Sequence, residues 1–72
     1  MSRIHDELAA ARDALTRANE LVALQERRVE QLESKGEEAA VAHAMLRVLR
    51  HTREMMRTNL EKVEAEVGED SD

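Results

Sequence analysis

The residues of this 72-residue chain that could support chemistry are its three histidines and the carboxylates near them. His51 and Glu54 are three residues apart, so a helix would place both on one face as two metal ligands. A two-metal site in a helix bundle needs a Glu-x-x-His pair on each of two helices. Neither His5 nor His43 belongs to such a pair, and the chain has no Cys. The sequence therefore predicts no metal site and no cofactor.

A second candidate for chemistry is the segment His5-Asp6-Glu7-Leu8. It resembles the phosphoacceptor segment of histidine-kinase dimerisation hairpins, which also form dimeric four-helix bundles. Here no Pro follows the His, and the chain is too short to contain a nucleotide-binding domain. We find no Gly-rich phosphate loop and no nucleophile beside a base. The sequence therefore predicts a protein that is not an enzyme, with no catalytic residue and no small-molecule substrate.

A basic run in the second half of the chain could bind nucleic acid. Its members are Arg47, Arg50, Arg53 and Arg57, and Glu54 is the one acid among them. At helical spacing they cover a broad arc that would attract a phosphate backbone. The chain has a net charge of −5, however, and no aromatic residue to stack on bases. We therefore expect salt bridges from these arginines, and nucleic-acid binding by a small regulatory protein is the alternative.

Apolar residues in both halves of the chain follow a heptad repeat, with spacings that alternate between four and three. In the first half the seam positions are Ile4, Leu8, Ala11, Leu15, Ala18, Val22, Gln25, Val29 and Leu32. In the second half they are Ala39, Ala42, Leu46, Leu49, Arg53, Met56, Leu60, Val63 and Val67. The two sets pair so that the residue numbers always sum to 71. This pattern predicts an all-α fold, an antiparallel two-helix hairpin of the coiled-coil type.

Capping and turn residues set the limits of this hairpin. The prediction is a hairpin over 1–67, with helix 1 over about 2–35, a turn at Gly36 and helix 2 over about 37–67, which Gly68 ends. Ser2 is suited to cap helix 1, because its hydroxyl can accept a free backbone N–H. The last dozen residues contain six acids and one base. We therefore predict that 68–72 form a disordered acidic tail.

One flank of the predicted hairpin is polar. Equivalent flanks of antiparallel helices face each other, which allows four cross-helix pairs: Glu33 with His43, Glu26 with Arg50, Asn19 with Arg57, and Arg12 with Glu64. Each exposed pair contributes about 0.2–1 kcal/mol at most, so these pairs favour one register and add little stability. Gln25 and Arg53 are polar residues within the seam itself, and we interpret them as register-fixing residues.

The opposite flank is apolar, and we call the following set the apolar flank. Its members are Ala14, Leu21, Leu24, Val41, Met45, Val48, Thr52 and Met55. A monomeric hairpin would expose them as one patch, which soluble monomers rarely do. Two hairpins placed patch to patch would bury the patch and form a four-helix bundle. The sequence therefore predicts a homodimer, and an unidentified protein partner could use the same surface.

The middle of the chain, from about Gln25 to Thr52, resembles a set of small uncharacterised alphaproteobacterial helical-hairpin proteins with no known activity. The resemblance is carried by Gln25, Val29, Leu32-Glu33, Gly36, Ala42, Met45-Leu46 and Leu49. Those proteins often open their second helix with Asp-Thr, where this chain has Glu38-Ala39. The resemblance implies a hairpin in a bacterial cytoplasm and transfers no functional residue. The longest uncharged run has eight residues, too short to cross a membrane, so we expect no membrane partner.

Overall fold

The computed structural model describes residues 3–70 and contains two helices in that range. Helix α1 spans Arg3–Ser34 and helix α2 spans Ala40–Asp70. They pack along each other as an antiparallel hairpin about 57 Å long and 16 by 12 Å across. The predicted all-α hairpin is thus confirmed. The predicted Ser2 cap and the last two residues of the predicted tail lie outside the described residues.

The turn after α1 depends on one glycine. Gly36 has a φ of 71°, in the left-handed region that favours glycine. Its N–H donates to the carbonyl of Glu33 at 3.0 Å, and the N–H of Glu37 donates to the carbonyl of Leu32 at 2.9 Å. These two bonds form the Schellman arrangement that closes a helix with glycine. The helix therefore ends at Ser34, one residue before the predicted limit.

Helix α2 starts at Ala40, three residues later than predicted, because the residues before it form its cap. A carboxylate oxygen of Glu38 accepts the backbone N–H of Ala40 at 2.7 Å. The carbonyl of Ala39 accepts the N–H of His43 at 2.9 Å, the first bond of the helix. A carboxylate at this end also interacts favourably with the positive end of the helix dipole. Glu38 therefore caps α2 from outside the helix.

At its other end, α2 continues through Gly68 to Asp70, three residues beyond the predicted limit at Val67. Gly36 is the one described residue with a positive φ, so Gly68 keeps a helical backbone. The first part of the predicted disordered tail is thus helical. Sequence reasoning took Gly68 as a stop signal, but a glycine ends a helix only where the chain adopts the left-handed conformation.

The two glycines allow a matched prediction, because an added Cβ would meet no atom within 4 Å at either position. Gly36→Ala should lower the free energy of unfolding by about 1–2 kcal/mol, since only the backbone conformation penalises it. Gly68→Ala should leave it unchanged or raise it by up to about 0.5 kcal/mol, because alanine favours the helix. Thermal unfolding followed by circular dichroism compares the two. Equal losses would show that the turn conformation is not what makes Gly36 necessary.

The core follows the predicted seam. All eighteen predicted seam positions are buried or half-buried. The most deeply buried cluster comprises Val22, Val29, Ala42 and Leu46, in the half of the hairpin nearest the turn. Val22 is the largest side chain with almost no exposed surface. Because each helix buries a single stripe, the rest of its surface is open to solvent or to a further helix.

Candidate protein-interaction surface

The exposed large hydrophobic side chains of residues 3–70 all lie on the apolar flank. They are Leu21, Leu24, Val41, Met45, Val48 and Met55. Their exposed fractions range from 50% for Leu21 to 79% for Val41. The two remaining flank residues, Ala14 and Thr52, are half-buried. Helical spacing produces this concentration, because residues three and four apart lie on one side of a helix.

The two helices contribute to one continuous surface. On the polar flank, the observed pairs Glu33–His43 and Glu26–Arg50 both have residue numbers that sum to 76. Facing residues of the inner seam have numbers that sum to 71, five less than the pairs of the polar flank. By heptad symmetry, facing residues on the apolar flank have numbers that sum to 66, five less than the seam. Leu21 then faces Met45 across the hairpin. The same register is seen towards the open end, where Glu7, Ala14 and Asn59 line one surface depression.

Sequence reasoning missed the residues that extend this surface towards the open end of the hairpin. Ala10 and Asn59 line the same depression as Ala14. Asn59 lies one heptad repeat beyond Thr52, and Ala10 lies two repeats beyond Leu24, with Arg17 between them. Heptad position alone would have identified them, but neither residue is large and apolar enough to draw attention. The extended surface therefore runs most of the length of both helices.

The opposite flank is closed by cross-helix ion pairs. His43 Nε2 lies 3.1 Å from a carboxylate oxygen of Glu33, and a guanidinium nitrogen of Arg50 donates to Glu26 at 3.2 Å. Both pairs were predicted and are confirmed. Each spans from one helix to the other, so together they fix the register of the hairpin. Half-exposed pairs of this kind contribute about 0.2–1 kcal/mol each.

The predicted pair between Arg57 and Asn19 is wrong. Arg57 instead donates to Glu54 of its own helix at 2.6 Å. A carboxylate one turn away gives a charge-assisted bond, which is stronger than a bond to a neutral amide on the other helix. No ion pair joins Arg12 to Glu64 in the part of the chain that the structure describes.

The four arginines of the alternative basic face have different surroundings. Arg50 and Arg57 are each paired with a carboxylate. Arg53 is half-buried in the seam, and its Nε atom is buried with no hydrogen-bond partner among the described residues. Arg47 is exposed and makes no ion pair within residues 3–70. They do not present one continuous unpaired cationic surface.

Arg53 carries a stability prediction. Its Nε atom is buried without a hydrogen-bond partner, so removing this atom from water costs free energy. An apolar side chain of similar length would fill the same space in the seam without that cost. Arg53→Met should raise the free energy of unfolding by about 1–2 kcal/mol, seen as a higher thermal midpoint. The exposed Arg47→Met is the matched control and should change it by less than about 0.5 kcal/mol. A loss of stability in Arg53→Met alone would mean that the guanidinium has a partner in solution.

The histidines do not converge on a site. His5 and His51 are exposed, and His43 is half-buried beside Glu33. Within residues 3–70, no three His, Asp or Glu side chains are grouped so that they could hold a metal ion. None of the described helices combines the length and the apolar character that a membrane crossing requires. The remaining candidate is the apolar flank, whose exposed hydrophobic side chains are typical of a binding surface.

Comparison of the chain with protein-family models, curated proteins and solved structures finds no match. The resemblance to alphaproteobacterial hairpin proteins stays a prediction. The hairpin's own surface is therefore the basis for a functional proposal.

Proposed function

We propose that this protein is a non-enzymatic interaction module whose hairpin forms a homodimer, a four-helix bundle, through its apolar flank. One observation carries the proposal: every exposed large hydrophobic side chain of residues 3–70 lies on one side of the hairpin. Chance placement would scatter such residues over the surface, as is usual for single exposed apolar residues. A contiguous apolar patch is instead typical of a binding surface.

The exposed area of the chain supports a second copy as the occupant. The hairpin exposes 5511 Å², whereas a compact monomer of 8.2 kDa exposes about 4500 Å². The excess of roughly 1000 Å² is similar to the about 800 Å² that each partner buries in a standard interface. The radius of gyration of 16.5 Å also exceeds the about 11 Å expected for a compact domain of this length. A side-by-side dimer would reduce both departures, because it doubles the mass without lengthening the hairpin.

The composition of the surface is compatible with more than one occupant. Met45 and Met55 are flexible and polarisable, so they adapt to differently shaped surfaces. A hetero-partner could therefore displace the second copy, in which case the dimer is a storage form. We include a cytoplasmic location in the same proposal. Nucleic-acid binding has no supporting observation, because the net charge is −5 and two of its four arginines are paired with carboxylates.

Light scattering with refractive-index detection tests the proposal, since the chain has no Trp, Tyr or Phe to absorb. We expect a mass of about twice 8.2 kDa that is constant over a range of micromolar concentrations. A mass of one chain at all concentrations would contradict the homodimer. In that case the apolar flank would still be open, and a protein partner would become the better proposal.

A further inference from the structure

The apolar flank is part of a second heptad seam on each helix. On α1 this outer seam runs from Glu7 to Gln31, and on α2 from Val41 to Lys62, with spacings that alternate between three and four. Each helix therefore carries two stripes. The inner one is buried within the hairpin, and the outer one has the spacing needed to pack against one further helix. Its middle contains the apolar flank, which Arg17 interrupts on α1, and Glu7 and Lys62 are charged residues at the open end.

Two copies can stack flank to flank with two-fold symmetry in two ways. When the axis runs parallel to the helices, α1 faces α2 of the second copy and both turns lie at the same end. When the axis runs across the helices, α1 faces α1 of the second copy and the turns lie at opposite ends. The side chains of the outer seam distinguish these arrangements.

The same-end arrangement matches most apolar residues of the flank with apolar residues, and it places Arg28 opposite Val41 and Arg17 opposite Thr52. In the register where facing residue numbers sum to 69, the pairs are Leu21 with Val48, Leu24 with Met45, Ala14 with Met55, and Glu7 with Lys62. Small side chains thus face large ones near the open end, and opposite charges meet beyond them. The inner seam places residues whose numbers sum to 71 at the same height along the hairpin. The sum of 69 differs from this by two residues, so the second copy is almost level with the first. Neither Arg17 nor Arg28 faces a cation in it.

The opposite-end arrangement has two central registers, and each has mismatches. In the first, Leu21 faces Leu24, but Arg17 of each copy then faces Arg28 of the other. Two such contacts per dimer would repel. In the second register, Leu21 faces Arg17, and Val48 faces the hydroxyl-bearing Thr52. The first register therefore brings like charges together, and the second places Arg17 opposite Leu21 at the centre of the interface.

We infer that the second copy binds with its turn at the same end, so that α1 packs against α2 of the second copy in the register that sums to 69. This inference rests on the proposed homodimer and adds its geometry. All neighbouring helices of the resulting bundle are antiparallel, as in up-and-down four-helix bundles.

Distances between spin labels test the arrangement, because the chain has no Cys and accepts single labels. Ser34→Cys places a label beside the turn, where Ser34 is exposed. Same-end packing should give an inter-label distance below about 30 Å, set by helix spacings of 8–10 Å plus the label tethers. Opposite-end packing would separate the labels by about 35–45 Å along the axis, at 1.5 Å per residue.

Thr16→Cys is the control, because this exposed position lies near the middle of the hairpin. Its label pair should be closer than about 30 Å in either arrangement, since it lies few residues from both possible centres. A short Thr16 distance with a long Ser34 distance would overturn the same-end arrangement and leave the homodimer standing. No defined distance at either position, together with the mass of one chain, would overturn both.

Discussion

Leu24→Glu is expected to convert the proposed dimer into a monomer at the same protein concentration. Leu24 is 55% exposed in the hairpin, so a glutamate there costs little in the single chain. In the dimer, each copy would bury a charge in the centre of the apolar flank. Burial of a leucine side chain contributes about 1.5–3 kcal/mol, and a buried glutamate charge adds a desolvation cost. With two copies per dimer, the dissociation constant should rise about a thousandfold.

Light scattering and circular dichroism measure the two parts of this prediction. The mass of Leu24→Glu should be that of one chain, while the helix content at low temperature stays close to that of the unchanged protein. Its thermal midpoint should no longer depend on protein concentration, because a monomer lacks the mass-action term. This combination separates loss of association from loss of the fold.

Thr16→Glu is the matched control for Leu24→Glu. It introduces the same charge on the same helix at an exposed position outside the apolar flank. It should leave the dimer mass and its concentration dependence unchanged. If both variants dissociated equally, added negative charge would be the cause and the flank would lose its assigned role. If neither did, Leu24 would lie outside any interface.

The stripes of the hairpin were predictable from the sequence because they depend only on periodicity. The period of a helix fixes which residues share a side, and an apolar stripe must be buried. Val22 and Leu46 are therefore core residues, and Leu24 and Val48 are exposed, as heptad position requires. Whether the exposed stripe binds a second copy depends on surfaces outside one chain, which periodicity cannot supply.

The ends of the helices and the choice among salt bridges were less predictable. Glu38 could have occupied the first turn of α2 or its cap, and the turn at Gly36 decides this by fixing where the chain enters the helix. The heptad pattern pointed to Asn19 across the hairpin as the partner of Arg57, whereas Glu54, one turn away on the same helix, accepts the charge-assisted bond. Alternatives that differ by less than about 1 kcal/mol are not resolved by residue type alone.

Gln25→Glu should destabilise the hairpin strongly, because Gln25 links the helices from within the core. Gln25 is 9% exposed, and its Nε2 atom donates to the carbonyl oxygen of Ala42 at 3.0 Å. Glutamate would replace this donor by an anionic oxygen facing a carbonyl oxygen. Loss of the bond and burial of an unpaired charge should cost about 3 kcal/mol at neutral pH. In a domain of this size, each kcal/mol lowers the thermal midpoint by about 4–8 °C.

The pH dependence of Gln25→Glu identifies the cause. Burial beside a carbonyl raises the pKa of the introduced carboxyl in the folded state, and its protonated form again has a donor for Ala42. The penalty should therefore be absent below the unfolded pKa of glutamate, about 4.3, and grow as the pH rises through the folded pKa. Thermal unfolding at a fixed protein concentration, measured relative to the unchanged protein at each pH, tests this.

Two further variants separate the buried charge from other effects of the substitution. Thr16→Glu adds the same charge at an exposed position of the same helix outside both seams and should change the midpoint by only a few degrees. Gln25→Leu removes the hydrogen-bond donor without adding a charge. It should change the free energy of unfolding little, because an apolar residue of similar size suits the seam. If Gln25→Leu lost as much stability as Gln25→Glu, the hydrogen bond itself would be the main contribution of Gln25. If Gln25→Glu matched Thr16→Glu, the side chain at position 25 would be solvated and the link between the helices at this layer would have to come from packing alone.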